Sequence, residues 1–214
     1  MKIGILWDLD GTLLDTLEDL MDGVNYALNE FGLPPRTYEE IRQFVGNGAA
    51  NLISRAVEGR ADDKAVLDTF KPYYNAHCQV KTRPYEGVLE ALAQLGEKYP
   101  MAIVSNKPDS AVKPLCEQYF PGIYALGERA GCPRKPAADM VFGAMKDIGV
   151  ETCVYVGDSE VDIATAKNAG VKCLSVLWGF RDKDALINAG GQYFCEDTAK
   201  LVEKIEKLIW EAPL

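Results

Sequence analysis

Histidine is almost absent from this 214-residue chain: His77 is the only one. One histidine builds no zinc cluster. It also leaves Ser-His-Asp chemistry without a base, unless His77 itself were that base. With no obvious partner, His77 reads as a helix-surface residue. The six cysteines (78, 116, 132, 153, 173 and 195) form no C-x-x-C pair, which excludes a zinc knuckle or a dithiol redox motif. Cys153 and Cys173 lie in apolar, strand-like runs and read as buried thiols, so a reducing, cytoplasmic setting is expected. Positive charge is scarce as well. Lys and Arg total 23 against 32 Asp and Glu, a net charge of −9. That balance argues against a nucleic-acid backbone or an anionic membrane as partner. No apolar run approaches the roughly 18 residues of a spanning helix. Lys2 leads at once into a strand and an acidic segment, so no signal peptide is expected. Repeats and low-complexity segments are missing too.

What is present is alternation. Strand-like runs fall near residues 2–8, 100–105, 152–157 and 172–178, with weaker ones near 123–126 and 192–195. Helical patterns lie near 86–98, 138–148, 161–169 and 199–211, and a short helix starts at Lys183 or Asp184. Such alternation predicts a Rossmann-like α/β core, a parallel sheet covered on both faces. Residues 16–81 break the pattern. They read as helices only, the first with an apolar face of Leu17, Leu20, Met21, Val24, Ala27, Leu28 and Phe31. Further helices are expected near 38–45, 47–57 and 62–78. The expected organisation is a core of residues 1–15 and 82–214 with a small all-helical insert, 16–81, returning through the linker at 82–87. Placed directly after the first strand, the insert would sit over that strand's C-terminal end, as a lid does.

The chemistry concentrates where strands end. Asp8-Leu9-Asp10-Gly11-Thr12 follows the apolar run Ile3–Trp7. Carboxylates two residues apart at a strand end share one side and repel each other unless a cation or proton compensates. In open parallel sheets that end is also where ligands bind. The run 100–105 ends in Ser105-Asn106-Lys107, whose hydroxyl and amide can donate to phosphate oxygens. Lys135 precedes Pro136 and can meet a phosphate as a point charge. The run 152–157 ends in a second acidic cluster, Asp158-Ser159-Glu160-Val161-Asp162. Asp158 could complete the oxygen coordination of Mg²⁺, and Asp162 could orient a water or Lys135. Each segment alone also reads as a polar turn or an acidic helix start. Their occurrence together, at successive crossings, favours a Mg²⁺-assisted phosphoryl-transfer site.

With those residues in place, the chain resembles the haloacid dehalogenase superfamily of aspartate-nucleophile phosphatases over essentially its whole length. Asp8-Leu9-Asp10-Gly11-Thr12-Leu13 looks like the first family motif, Ser105-Asn106 the second, Lys135 the third, and Gly157-Asp158 with Asp162 the fourth. The insert is similar to the family's small helical cap. Val45-Gly46-Asn47-Gly48, Arg83-Pro84-Tyr85-Glu86-Gly87-Val88, Ser105-Asn106-Lys107-Pro108 and Lys135-Pro136-Ala137 resemble the phosphoglycolate phosphatase branch. Ser105 stands where many relatives carry Thr, and Trp7 where Phe is usual.

The resemblance implies Mg²⁺ held by Asp8, the backbone carbonyl of Asp10, and Asp158, with Asp162 and Ser159 supporting it. It implies Asp8 as nucleophile forming an aspartyl-phosphate, Asp10 as acid and base, and Lys135 as a catalytic cation. Ser105, Asn106, Lys135 and Thr12 are the expected phosphate contacts, with Asn47 and Gly48 near the substrate from the cap. The expected substrate is a small phosphorylated metabolite, 2-phosphoglycolate foremost, with pyrophosphate or other small esters as alternatives and the protein a monomer or homodimer. A sugar phosphomutase of this group would carry a histidine shortly after the first motif, where this chain has Asp15-Thr16-Leu17-Glu18-Asp19-Leu20. A dehalogenase needs neither Asp10 nor Asp158, and a non-enzymatic module would be expected to lose one of Asp8, Asp10, Lys135 or Asp158.

Overall fold

A computed structural model describes residues 2–211. β1 (Ile3–Trp7) and a two-residue strand, β2 (Leu14–Asp15), lead into four helices: α1 (Leu17–Glu30), α2 (Tyr38–Phe44), α3 (Gly48–Val57) and α4 (Asp63–His77). The chain returns through β3 (Arg83–Pro84). It then alternates through α5 (Val88–Gly96), β4 (Met101–Pro108), α6 (Asp109–Tyr119), β5 (Tyr124–Glu128), α7 (Asp139–Asp147), β6 (Thr152–Gly157) and α8 (Glu160–Ala169). β7 (Lys172–Val176), α9 (Lys183–Asn188), β8 (Tyr193–Cys195), a 3-10 turn at Thr198–Lys200 and α10 (Leu201–Trp210) complete it.

Six strands form one parallel sheet in the order β5-β4-β1-β6-β7-β8. β1 is central, paired with β4 on one side and β6 on the other, and its apolar residues are covered on both faces. Ile5 and Trp7 join the larger core, which holds Leu92, Leu115 and Ile205 from α5, α6 and α10. Leu6 points the opposite way, into a second cluster with Met140 and Val141 of α7 and Ala166 of α8. The strand's period of two thus feeds two layers of helices. The α/β parallel sheet expected from the alternation is the one observed.

The helical insert shares the larger core: Leu17, Leu20, Val24 and Leu28 of α1 pack with Phe70 and Tyr74 of α4. Thr37 and Glu40 cap α2 reciprocally, which fixes its start. Entry and exit are fastened to each other. β2 pairs antiparallel with β3, Leu14 opposite Pro84 and Asp15 opposite Arg83. The buried Asp19 carboxylate accepts the backbone N–H of Lys81 (3.0 Å) and of Thr82 (2.8 Å).

Four expectations are corrected. The linker at 82–87 contains a strand. α6 is a helix where none was expected: Pro114 stands inside it, on its exposed side, and argues against a helix in the sequence, although the buried face of Ala111, Val112, Leu115 and Cys116 is intact. Phe31 caps α1 and is exposed rather than part of its apolar face. Cys173 is half-buried near the sheet's edge, whereas Cys153 is buried.

Candidate active site

β1 ends at Trp7, so Asp8 is the first residue beyond the sheet's central strand; its N–H still donates to Val156 of β6 (2.8 Å). The chain then turns sharply. Gly11 takes φ +84°, and a Cβ there would stand 2.3 Å from Asp158 Oδ2. Only glycine meets both demands. Gly157, at the end of β6, lies so close to Asp162 that a Cβ would fall 2.3 Å from that side chain. The two acidic loops are thereby brought against each other.

Asp8, Asp158 and Asp162 are buried, with one carboxylate oxygen of each lying within 4.8 Å of the others. Lys135 is their counter-charge. Its Nζ sits 2.7 Å from Asp8 Oδ1 and 2.8 Å from Asp162 Oδ1, and it donates to the buried hydroxyl of Tyr155 at 3.1 Å. Asp162 Oδ2 accepts from Ser159 Oγ (2.6 Å) and from the backbone N–H of Asp158 and Ser159. Asp158 Oδ2 accepts the Phe180 N–H at 2.7 Å, and its Oδ1 accepts the Thr12 hydroxyl at 3.3 Å.

Burial, reinforced by Asp162, pushes the Asp8 carboxyl well above the usual range, with Lys135 pulling the other way. The same causes push Asp158 up to about 7. Lys135 is raised: burial works against its charge, but Asp162 and Asp8 outweigh it. Three carboxylates against one ammonium leave the cluster short of positive charge when all are ionised. Every donor is a hard oxygen, and a divalent ion such as Mg²⁺ suits both the charge and the chemistry. The carboxylate of Asp10 is not in this group.

Asp10 faces another cation. Its Oδ1 is 2.8 Å from Nζ of Lys107, a lysine whose side chain is 3% exposed. Burial opposes the Lys107 charge, yet Asp10 holds its pKa above the ordinary value. The same ammonium lies 4.7 Å from the ring centroid of Tyr74 on α4. β4 continues to Pro108, so Ser105, Asn106 and Lys107 are strand residues, not a turn. Ser105 Oγ accepts the Lys107 N–H at 3.2 Å.

Asn106 spends its side chain on architecture. Its Oδ1 accepts the Lys135 N–H (2.8 Å), and its Nδ2 donates to Lys135 O (2.9 Å) and Gly46 O (3.2 Å). It clamps the Lys135 loop and touches the insert. A cavity of about 50 Å³ lies between the strand ends and the insert. Asp8, Asp10, Ser105, Asn106, Lys107, Lys135, Asp158 and Ser159 reach it from the core, and Gly48, Leu52, Phe70 and Tyr74 from the insert. Asn47, at the start of α3, is not among the described residues lining it, and neither is Thr12 or Asp162. His77 is exposed, its Nδ1 2.7 Å from Tyr73 O.

Sequence reasoning gave no role to four of these neighbours. Lys107 stood in a quoted motif without an assignment, and Tyr74 was one of many aromatics on a helix face. Tyr155 sat inside a strand, and Arg181 in an unremarkable loop. Arg181 pairs with Glu160 and donates to Arg42 O (2.9 Å) and Val45 O (2.8 Å), bridging core and insert.

The family model for haloacid dehalogenase-like hydrolases matches residues 5–176. A phosphoglycolate phosphatase of Pseudomonas fluorescens is 33% identical over 212 residues, covering 92% of this chain and 78% of its own length. Phosphoglycolate phosphatase 1 of Pseudomonas aeruginosa is 35% identical, covering 82% and 70% respectively. A crystal structure of a candidate phosphoglycolate phosphatase from Lactobacillus delbrueckii subsp. bulgaricus superposes with a TM-score of 0.87 at 38% identity, over 94% of this chain and 97% of that one. The extent of these matches, on a sheet whose central strand leads directly into Asp8, places the chain in a family: it belongs to the haloacid dehalogenase-like hydrolases.

Proposed function

We propose that this chain is a Mg²⁺-dependent phosphatase that hydrolyses a small phosphate monoester, 2-phosphoglycolate foremost, through an aspartyl-phosphate on Asp8. One observation carries the reading. Asp8 and Asp10, two residues apart, have separate partners: Asp8 lies in the carboxylate cluster with Lys135, and Asp10 lies against Lys107. Two carboxylates with different surroundings suit two different tasks, provided that a divalent ion at the cluster keeps the buried Asp8 ionised as the nucleophile must be.

The Asp8 carboxylate attacks phosphorus, and the bond to the leaving oxygen breaks as Asp10 gives that oxygen a proton. Asp10 then takes a proton from the water that cleaves the aspartyl-phosphate. Lys135 and the Ser105 hydroxyl, both on the cavity wall, neutralise phosphoryl oxygens as charge spreads over them. Asp8, Asp158 and the backbone carbonyl of Asp10 would hold Mg²⁺, with Asp162 and Ser159 bracing Asp158. When bound, the ion supplies charge screening between an anionic nucleophile and an anionic phosphate. The insert covers the strand ends and keeps bulk water from the first step. The small cavity favours a small substrate, since sites for larger ligands run to several hundred Å³. The names of the relatives support phosphoglycolate as that substrate.

The test is phosphate release from 2-phosphoglycolate, pyrophosphate, sugar phosphates and nucleotides with Mg²⁺, compared as kcat/KM. Phosphoglycolate is expected to lead, and Asp8→Asn to lower its turnover by at least about 10⁴-fold with the fold intact. Preference for another ester would remove the substrate assignment. Activity retained in Asp8→Asn would remove the mechanism.

A further inference from the structure

Lys107 and Tyr74 are buried on the cavity wall and have no task in the chemistry above. We propose that together they receive a carboxylate carried on the leaving group of the substrate, and so select acidic phosphate esters over neutral ones. The inference rests on the phosphatase reading and adds to it a specificity pair.

Position comes first. Protons move between groups within hydrogen-bond reach, so the departing oxygen must lie beside Asp10. Lys107 Nζ is 2.8 Å from Asp10 Oδ1. A substituent on the carbon next to the departing oxygen is therefore within reach of the same ammonium. Chemistry comes second. An ammonium has three donors and no acceptor. Lys107 directs one of them at Asp10 and lies over the Tyr74 ring, leaving donor capacity toward the cavity. The Tyr74 hydroxyl is buried and faces Lys107, which can only donate, so among the described residues its own proton has no acceptor. A polar atom buried without a partner is costly, and a ligand that supplies the partner removes that cost. Two donors converging in a buried pocket are the complement of an acceptor-only, negatively charged group. The other buried lysine on the cavity wall, Lys135, is held by two carboxylates, Asp8 and Asp162, whereas Lys107 has one, Asp10.

The experiment compares 2-phosphoglycolate with 2-hydroxyethyl phosphate, which replaces the carboxylate by a neutral hydroxymethyl group. The wild type is expected to prefer the acid by about tenfold or more in kcat/KM. Lys107→Met should lower kcat/KM for phosphoglycolate by about 10- to 100-fold more than for the neutral ester, chiefly through KM. Tyr74→Phe keeps the ring under Lys107 and deletes only the hydroxyl. It should cost about fivefold, again only on the acid, and it remains informative if Lys107→Met fails to fold.

Binding of glycolate against ethylene glycol, read by calorimetry on the same three proteins, gives an answer independent of turnover. Weaker glycolate binding in both variants, more so in Lys107→Met than in Tyr74→Phe, with ethylene glycol unchanged, is the expected result. Equal losses on both esters would assign Lys107 to Asp10 alone and overturn the proposal. A wild type that does not distinguish the esters would do the same. Absence of phosphate release from every ester would instead strike the phosphatase reading, while glycolate binding weakened in the variants would still support the carboxylate receptor.

Discussion

Two lysines are buried against one cavity, and they are held in opposite ways. Lys135 is enclosed by core elements alone, with Asp8 from the end of β1, Asp162 from α8 and Tyr155 from β6. Lys107 is shared across the boundary, with Asp10 from the core and Tyr74 from α4 of the insert. The first arrangement holds a charge at a fixed place whatever the insert does. The second depends on the insert being seated, so it senses what lies between the two parts. One fold therefore sets a rigid cation and a conditional one against the same cavity, the first proposed above for the phosphoryl group and the second for the rest of the substrate.

The sharpest way to break that comparison is to delete each ammonium and measure stability. Lys135→Met leaves Asp8 and Asp162 facing each other, and Asp162 is fully buried. Removing one partner from a buried ionic cluster costs about 3–5 kcal/mol. Lys107→Met should cost less, about 1–3 kcal/mol, because the Asp10 side chain keeps 14% exposure and can regain water. Urea unfolding of both variants checks the order. A Lys107 variant as destabilised as the Lys135 variant would mean that both lysines are structural to the same degree.

Proton and metal dependence comes next. Asp158 is held near 7 and Asp8 well above the ordinary carboxylate range, mainly by burial and by Asp162. The folded state therefore keeps protons that the unfolded chain releases near pH 4. Stability from these groups is full below that pH and drains as pH rises toward about 7. Chelated protein should show a falling Tm between pH 5 and pH 7.5. Mg²⁺ should raise Tm more at the upper pH, where it replaces the lost protons as counter-charge. Asp158→Asn should flatten the slope. A chelated Tm that rises across this window, or a Mg²⁺ effect equal at both ends, would refute the cluster as the pH-sensitive element.

The two lysines also mark what a sequence can disclose. Asp8, Asp10 and Asp158 were legible because each follows an apolar run that ends at the same edge of a parallel sheet; Asp162 lies one helical turn beyond Asp158, and Lys135 stood out only by its place before Pro136 and by its likeness to a family motif. The parallel sheet was legible from the same apolar runs. Lys107 to Asp10 spans 97 residues, Asp19 to Thr82 spans 63 and Arg181 to Val45 spans 136. The first depends on how two strand ends meet and the other two on how the insert is seated, which no local pattern encodes. Asn106 shows the other limit. An amide at a strand end suggests a phosphate ligand, and only three-dimensional packing shows that the Lys135 backbone and Gly46 O engage it. α6 was hidden by Pro114 and a buried face made mostly of small residues.

The gentlest test concerns how firmly the conditional side is closed. Arg181 follows Phe180, whose N–H holds Asp158, and its guanidinium forks onto the carbonyls of Arg42 and Val45 at the end of α2. The Asp158 carboxylate and the insert are thus joined through adjacent residues. Arg181→Ala removes two hydrogen bonds to carbonyls that water can partly reclaim, a net change of about 1 kcal/mol. If closure of the insert is what that energy supports, KM should rise about fivefold while kcat in saturating substrate stays near wild type. Arg181→Lys keeps the charge beside Glu160 but cannot fork onto two carbonyls, so it should fall between the two. A fall in kcat with KM unchanged would instead place Arg181 among the supports of Asp158, and the link between Asp158 and the insert would then act on the chemistry rather than on closure.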